Sequence, residues 1–180
     1  MLELVIGGAR SGKSAYAERQ ALASGLAVTY IATGEARDDE MAARIAHHRT
    51  RRPVDWHTLE EPLQLAAALR RTSARDACLL VDCLTLWLTN LMLAGREDEI
   101  DALLDTLPML PGRLILVSNE VGWGIVPENE LARRFCDAQG RLNQRVAALA
   151  DQVTLVAAGL PLTLKSGAAA GDGRLTGLPA

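Results

Sequence analysis

Gly7-Gly8-Ala9-Arg10-Ser11-Gly12-Lys13-Ser14 is the stretch from which the rest of the chain is read. It meets the phosphate-loop pattern G-x-x-x-x-G-K-S/T at every specified position. Ahead of it, Leu2, Leu4, Val5 and Ile6 suit a buried parallel strand, and behind it Ala15 to Ala23 suits a helix. In that setting the glycines let the backbone curl until successive N–H groups face a phosphate. The helix starting near Lys13 adds its positive dipole end to the same anion. Lys13 would reach the β- and γ-phosphates, and Ser14 would hold Mg²⁺. Lysine is otherwise scarce: of nineteen Lys and Arg residues, Lys13 and Lys165 alone are lysine. The chain thus keeps lysine where a compact ammonium suits phosphates better than a planar guanidinium.

Composition bounds the remaining possibilities. With 180 residues and 49% hydrophobic content, one sizeable core is expected, in a single domain spanning residues 1–166. The tail from 167 to 180 offers little to pack and is expected to be disordered. A formal net charge of −3 and a pI near 5.6 argue against a general nucleic-acid-binding surface. Cys78, Cys83 and Cys136 form no C-x-x-C pair, so neither a disulfide framework nor a zinc site is indicated, and buried thiols in a reducing cytosol are expected. No apolar run approaches membrane-spanning length and no charged-then-apolar leader opens the chain. The expectation is a cytoplasmic protein without membrane insertion.

Strand and helix patterns alternate along the chain. Ala27 to Ala32 reads as a strand ending at Thr33-Gly34, and Asp38 could cap a helix from about Asp39 to Thr50, stopped by Pro53. Pro62 to Arg71 reads as a short helix, and Ala77 to Asp82 as a strand closing on a carboxylate in the manner of a Walker B element. Helices are expected over Leu84 to Ala94 and Glu97 to Leu107, with a strand from Arg113 to Ser118 reaching Asn119-Glu120. Pro127 is expected to begin the longest helix, running to about Ala150 with Gly140 weakening its middle. Gln152 to Ala157 is a further strand, and Pro161 to Lys165 an edge strand. This order predicts an α/β P-loop NTPase fold of RecA-like type, a mostly parallel sheet with helices on both faces. Ligands of such a sheet bind beyond the carboxyl ends of its strands, where Thr33-Gly34, Asp82 and Asn119-Glu120 all fall.

Each candidate has a plainer alternative. Asp82 could bind Mg²⁺, directly or through water, or be a turn acid. Glu120 could position water, metal or a substrate hydroxyl, or be a solvated loop acid. On the helix expected after Asp38, Glu40, Arg44, His47 and Arg51 fall on one polar stripe, with His48 nearer the apolar side. A neutral imidazole, with an unperturbed pKa of about 6.5, can attack an α-phosphate and release pyrophosphate, with Arg44 and Arg51 placed to hold phosphate oxygens. The same spacing also fits a solvated helix face. Glu60 and Glu61 read as a loop edge unless a ribose or metal lies near. Asn119-Glu120-Val121-Gly122 stands where a regulatory GTPase would carry N-K-x-D, which argues against a switch GTPase.

Several segments together resemble the bifunctional adenosylcobinamide kinase/adenosylcobinamide-phosphate guanylyltransferase family of cobalamin biosynthesis. They are the phosphate loop, Tyr30-Ile31-Ala32-Thr33, Asp38 to Ile45 with His47-His48-Arg49 and Arg52-Pro53, Thr89-Asn90-Leu91, Asn119 to Gly122 with Gly124 to Asn129, and Gly140 to Arg145. The resemblance spans about residues 1 to 165. It implies two reactions: GTP or ATP phosphorylates the aminopropanol hydroxyl of adenosylcobinamide, then GTP donates GMP to that phosphate through a guanylylated histidine. That histidine corresponds to His47. The likeness also implies nucleotide contacts at Thr33, Gly34, Glu35, His48, Arg49, Thr50, Arg51, Glu60 and Asp82, and a homo-oligomer, expected to be a trimer. Two positions depart from the family pattern: Asp82 stands where glutamate is frequent, and Gly34 where serine is frequent. The alternatives are a small-molecule kinase of another pathway, in which His47 would be dispensable, and a nucleotide-sensing module without turnover.

Overall fold

The computed structural model describes residues 1–35 and 53–167. Within them, β1 (Leu2–Gly7), β2 (Ala27–Ala32), β3 (His57–Glu60), β4 (Ala77–Asp82), β5 (Arg113–Asn119), β6 (Gln152–Ala157) and β7 (Leu160–Lys165) form one sheet in the order β3-β2-β4-β5-β1-β6-β7. Every pairing is parallel except β6 with β7. The helices are α1 (Lys13–Ala23), α2 (Leu65–Thr72), α3 (Leu84–Ala94), α4 (Glu99–Thr106) and α5 (Glu130–Leu149), with a 3-10 turn at Leu107–Met109.

The inner strands are largely apolar on both faces because both faces are covered. Leu2, Leu4, Leu79, Val81, Leu114 and Leu116 point to one side, into a core shared with α2, α3, α4 and α5. Their neighbours Val5, Cys78, Leu80, Ile115 and Val117 point to the other side, against Tyr16, Ala17 and Ala21 of α1. The period of two is thus met by helices above and below, as the sequence predicts. Among the described residues the coverage is unequal, four helices against one.

Several boundaries differ from expectation. Glu60, expected with Glu61 as a loop edge, instead ends the edge strand β3, which pairs with β2 alone. The longest helix starts at Glu130, not Pro127, because the Asn129 side chain accepts the Ala132 N–H at 3.1 Å and sets the cap. Gly140 does not interrupt it, since Leu142, Asn143 and Val146 bury the same face. The helix expected at Pro62 begins at Leu65 instead, after Glu61 has turned its carboxylate onto the N–H groups of Leu63 and Gln64. The helix expected from Asp39 to Thr50 and nearly all of the expected tail lie outside the described residues.

Candidate nucleotide site

At the carboxyl end of β1 the chain turns through residues 8–12 into α1. Gly7 is obligatory there: a Cβ would lie 2.6 Å from Ser11 Oγ and closer still to the Val156 carbonyl. Gly12 occupies the left-handed region at φ 93° and hands over to α1 without a side-chain cap. The first N–H groups of α1 are therefore left to an anion, the arrangement a phosphate exploits. The loop is supported from behind by the β6–β7 hairpin, whose two-residue turn at Ala158 and Gly159 has positive φ at both positions. From it, Gly159 donates its N–H to Ser11 O at 2.8 Å.

Lys13 is buried and donates to Gly8 O at 3.0 Å. Burial lowers its pKa, and the negative charge of the Asp82 carboxylate partly restores it. Asp82 is thus close enough to the loop lysine to act on it electrostatically, with β5 lying between their strands. The Asp82 carboxylate accepts the Tyr30 hydroxyl at 3.0 Å, which holds its side chain from β2. The Cys83 thiol beside it is fully buried and pushed up to about 11, chiefly by desolvation, so it stays protonated and unreactive.

Thr33, expected as a nucleotide contact, also braces the frame. It is entirely buried; its hydroxyl donates to Cys83 O at 2.7 Å and accepts the Cys83 N–H at 2.9 Å. Asn90 donates to Thr33 O at 2.7 Å and to Pro62 O at 3.2 Å, so one side chain of α3 joins the ends of β2 and β3. Gly34 and Glu35 follow at increasing exposure, and Glu60 lies exposed at the end of β3, in register with Ala32. Ala9 and Arg10 form the exposed crest of the loop, and Ser14 sits half-buried in the first turn of α1. His47, His48, Arg49, Thr50 and Arg51 lie outside the described residues.

A second frame, one without a local sequence signature, supports Asn119 and Glu120. Ser118 Oγ donates to Asn143 Oδ1 at 2.6 Å, and Gln139 Nε2 donates to both, at 2.9 and 3.0 Å. Asn143 Nδ2 donates to Asn119 O at 3.0 Å, while Thr85 Oγ1 accepts the Asn119 N–H at 2.8 Å. The Glu120 N–H then reaches Gly7 O at 3.1 Å, so this polar cluster carries the Asn119-Glu120 turn directly to the phosphate loop. Its members are more than twenty residues apart in part, which is why local patterning did not expose them.

Oxygen donors at Ser14 and Asp82 suit a hard divalent cation that takes few protein ligands and completes its shell from phosphates and water. Among the described residues no cluster of three or more His, Cys, Asp or Glu could hold a metal ion by itself. No helix among them is long and apolar enough to cross a membrane.

A glycine cradle opening a helix, a buried lysine and a strand-end carboxylate two strands away define a P-loop nucleotide-binding protein. Residues 3–164 match the family model described as cobinamide kinase / cobinamide phosphate guanyltransferase; the chain belongs to that family and is a bifunctional nucleotide-using transferase of cobalamin biosynthesis. It is 58% identical to the bifunctional adenosylcobalamin biosynthesis protein CobP of Pseudomonas aeruginosa, over 92% of this chain and 98% of that one. It is 43% identical to the bifunctional adenosylcobalamin biosynthesis protein CobU of Salmonella typhimurium, over 92% of this chain and 100% of that one. The flagellar accessory protein FlaH from Methanocaldococcus jannaschii superposes with a TM-score of 0.52 at 13% identity, covering 92% of this chain and 78% of that one, a likeness of fold alone.

Proposed function

We propose that the two reactions share the phosphate loop and are divided between Lys13 and His47. In the first, the aminopropanol hydroxyl of adenosylcobinamide attacks the γ-phosphorus of GTP or ATP; the bond to the β-phosphate oxygen breaks, and the nucleoside diphosphate leaves. The N–H groups of residues 8–14 and the Lys13 ammonium hold the β- and γ-phosphates, where charge builds up during transfer. In the second, the imidazole of His47 attacks the α-phosphorus of GTP and pyrophosphate departs into the same cradle. An oxygen of the acceptor phosphate then displaces the histidine nitrogen, giving adenosylcobinamide-GDP. Ser14 and Asp82 would hold Mg²⁺, whose charge offsets that of the phosphates. Arg10, Gly34, Glu35, Glu60 and the 48–51 segment are proposed to contact the nucleotide.

What carries this reading is the buried Lys13 at the head of α1, with the Asp82 charge acting on it. A single 1–166 domain working in the cytoplasm as a homotrimer belongs to the same proposal. The test uses α-labelled GTP without acceptor. An acid-labile, alkali-stable protein adduct is expected, absent in His47→Ala. If His47→Ala still forms it, the nucleophile is elsewhere.

A further inference from the structure

Past Glu120 the chain forms an open cavity of about 500 Å³ between the segment 121–127 and the first turns of α5. The phosphate loop fixes one end of it: Glu120 is bonded to Gly7, and Val121, the next residue, is already in the lining. The other end is fixed by Arg133, whose guanidinium donates to Pro127 O at 3.0 Å and to Glu128 O.

Two properties of this cavity are unexplained by the fold. Of its lining, Ile125 is 98% and Val126 73% exposed, and Trp123, outside the lining but in the same segment, is 73% exposed, apolar surface that packing within the chain does not use. Beside it, Arg134 lines the cavity with no hydrogen bond or ion pair among the described residues. The carboxylates of Glu130 and Asp137 line the same cavity without closing on it.

We propose that this cavity is the acceptor subsite: the hydroxyl-bearing arm enters beside Gly7, the Arg134 guanidinium takes the phosphate of the phosphorylated acceptor, and Trp123, Ile125 and Val126 lie against the apolar part of its large ring. The inference rests on the two-step transferase reading above. A site serving both steps must take a neutral alcohol and then its phosphate ester. An arginine not committed to a protein carboxylate fits that change, because its planar fork matches phosphate oxygens. Continuity with the phosphate loop places such an acceptor next to the terminal phosphate it must reach.

The test is steady-state kinetics of the full-length chain with GTP and each acceptor. Arg134→Ala is expected to raise KM for adenosylcobinamide phosphate about tenfold or more. It should shift KM for adenosylcobinamide by less than about threefold, and Arg134→Lys should recover part of the loss. Ile125→Ser and Trp123→Ala should raise KM for both acceptors by about three- to tenfold while GTP affinity holds within about twofold. Wild type turning over both acceptors while Arg134→Ala keeps its KM for the ester overturns the assignment. A changed molecular mass by light scattering in Ile125→Ser or Trp123→Ala, with acceptor KM unchanged, makes this surface a subunit contact and overturns it too. Wild type inert towards both acceptors refutes the two-step reading instead.

Discussion

Replacing Thr33 by valine separates a brace from a ligand contact. Valine keeps the shape and puts a methyl where the hydroxyl was, so the change is in hydrogen bonding. Two bonds to Cys83 are lost. Cys83 O keeps the Trp87 N–H at 3.2 Å, so its share of the loss is a net bond of about 1 kcal/mol. The Cys83 N–H has no replacement inside a fully buried site, and an orphaned buried donor costs about 1–3 kcal/mol. The sum is about 2–4 kcal/mol. With a urea m-value of about 2 kcal/mol/M, the unfolding midpoint should fall by about 1–2 M. Urea titration followed by circular dichroism measures it, and isothermal titration with GTP below the transition should give a Kd within about threefold of wild type. Thr33→Ser should restore the midpoint. An unchanged midpoint with GTP binding weakened tenfold or more would refute the bracing argument and return Thr33 to the ligand.

Two further substitutions probe the loop. Lys13 has its pKa lowered by burial from 10.5, so the unfolded chain binds the proton more tightly than the folded one, and wild-type stability rises as pH climbs from the folded pKa towards 10.5. Lys13→Met should therefore raise the urea midpoint at pH 7 without nucleotide, with the gap narrowing as pH is raised, yet lose the extra protection that GTP gives wild type; a lower midpoint contradicts this. Gly7→Ala should cost about 1–3 kcal/mol through overpacking against Val156 and Ser11, whereas Gly8→Ala, with nothing within 4 Å of its Cβ, should stay within about 0.5 kcal/mol of wild type by the same titration; equal effects would contradict the geometry.

What the sequence revealed depends on whether a signal is periodic and local. The buried strands β1, β2, β4, β5 and β6 stand out because uninterrupted apolar runs bounded by turn residues are unambiguous when both faces are covered. His57–Glu60 was not legible: four residues at the sheet edge carry too short a pattern to be told from a loop, and only pairing with β2 makes them a strand. Pro127 misdirected the start of α5 because proline favours a first helical turn, while the cap that sets the start is the asparagine two residues on. In the candidate site, the placing of Gly7 to Ser14 between a strand and a helix, and of Asp82 at a strand end, was readable from the pattern. The Ser118–Gln139–Asn143 cluster was not, because its hydrogen bonds join a strand to a helix across the core. The bracing bonds of Thr33 were hidden for the same reason: its partner lies fifty residues away.

The hairpin that closes the sheet has a mechanical corollary. Its turn grips the anion cradle through the Gly159–Ser11 bond, while its outer strand shows solvent the side chains of Leu160, Leu162 and Leu164. One amide of the sheet's outermost ribbon thus holds the glycine cradle in place, and Gly159→Pro, which removes that N–H, would leave Ser11 O without it.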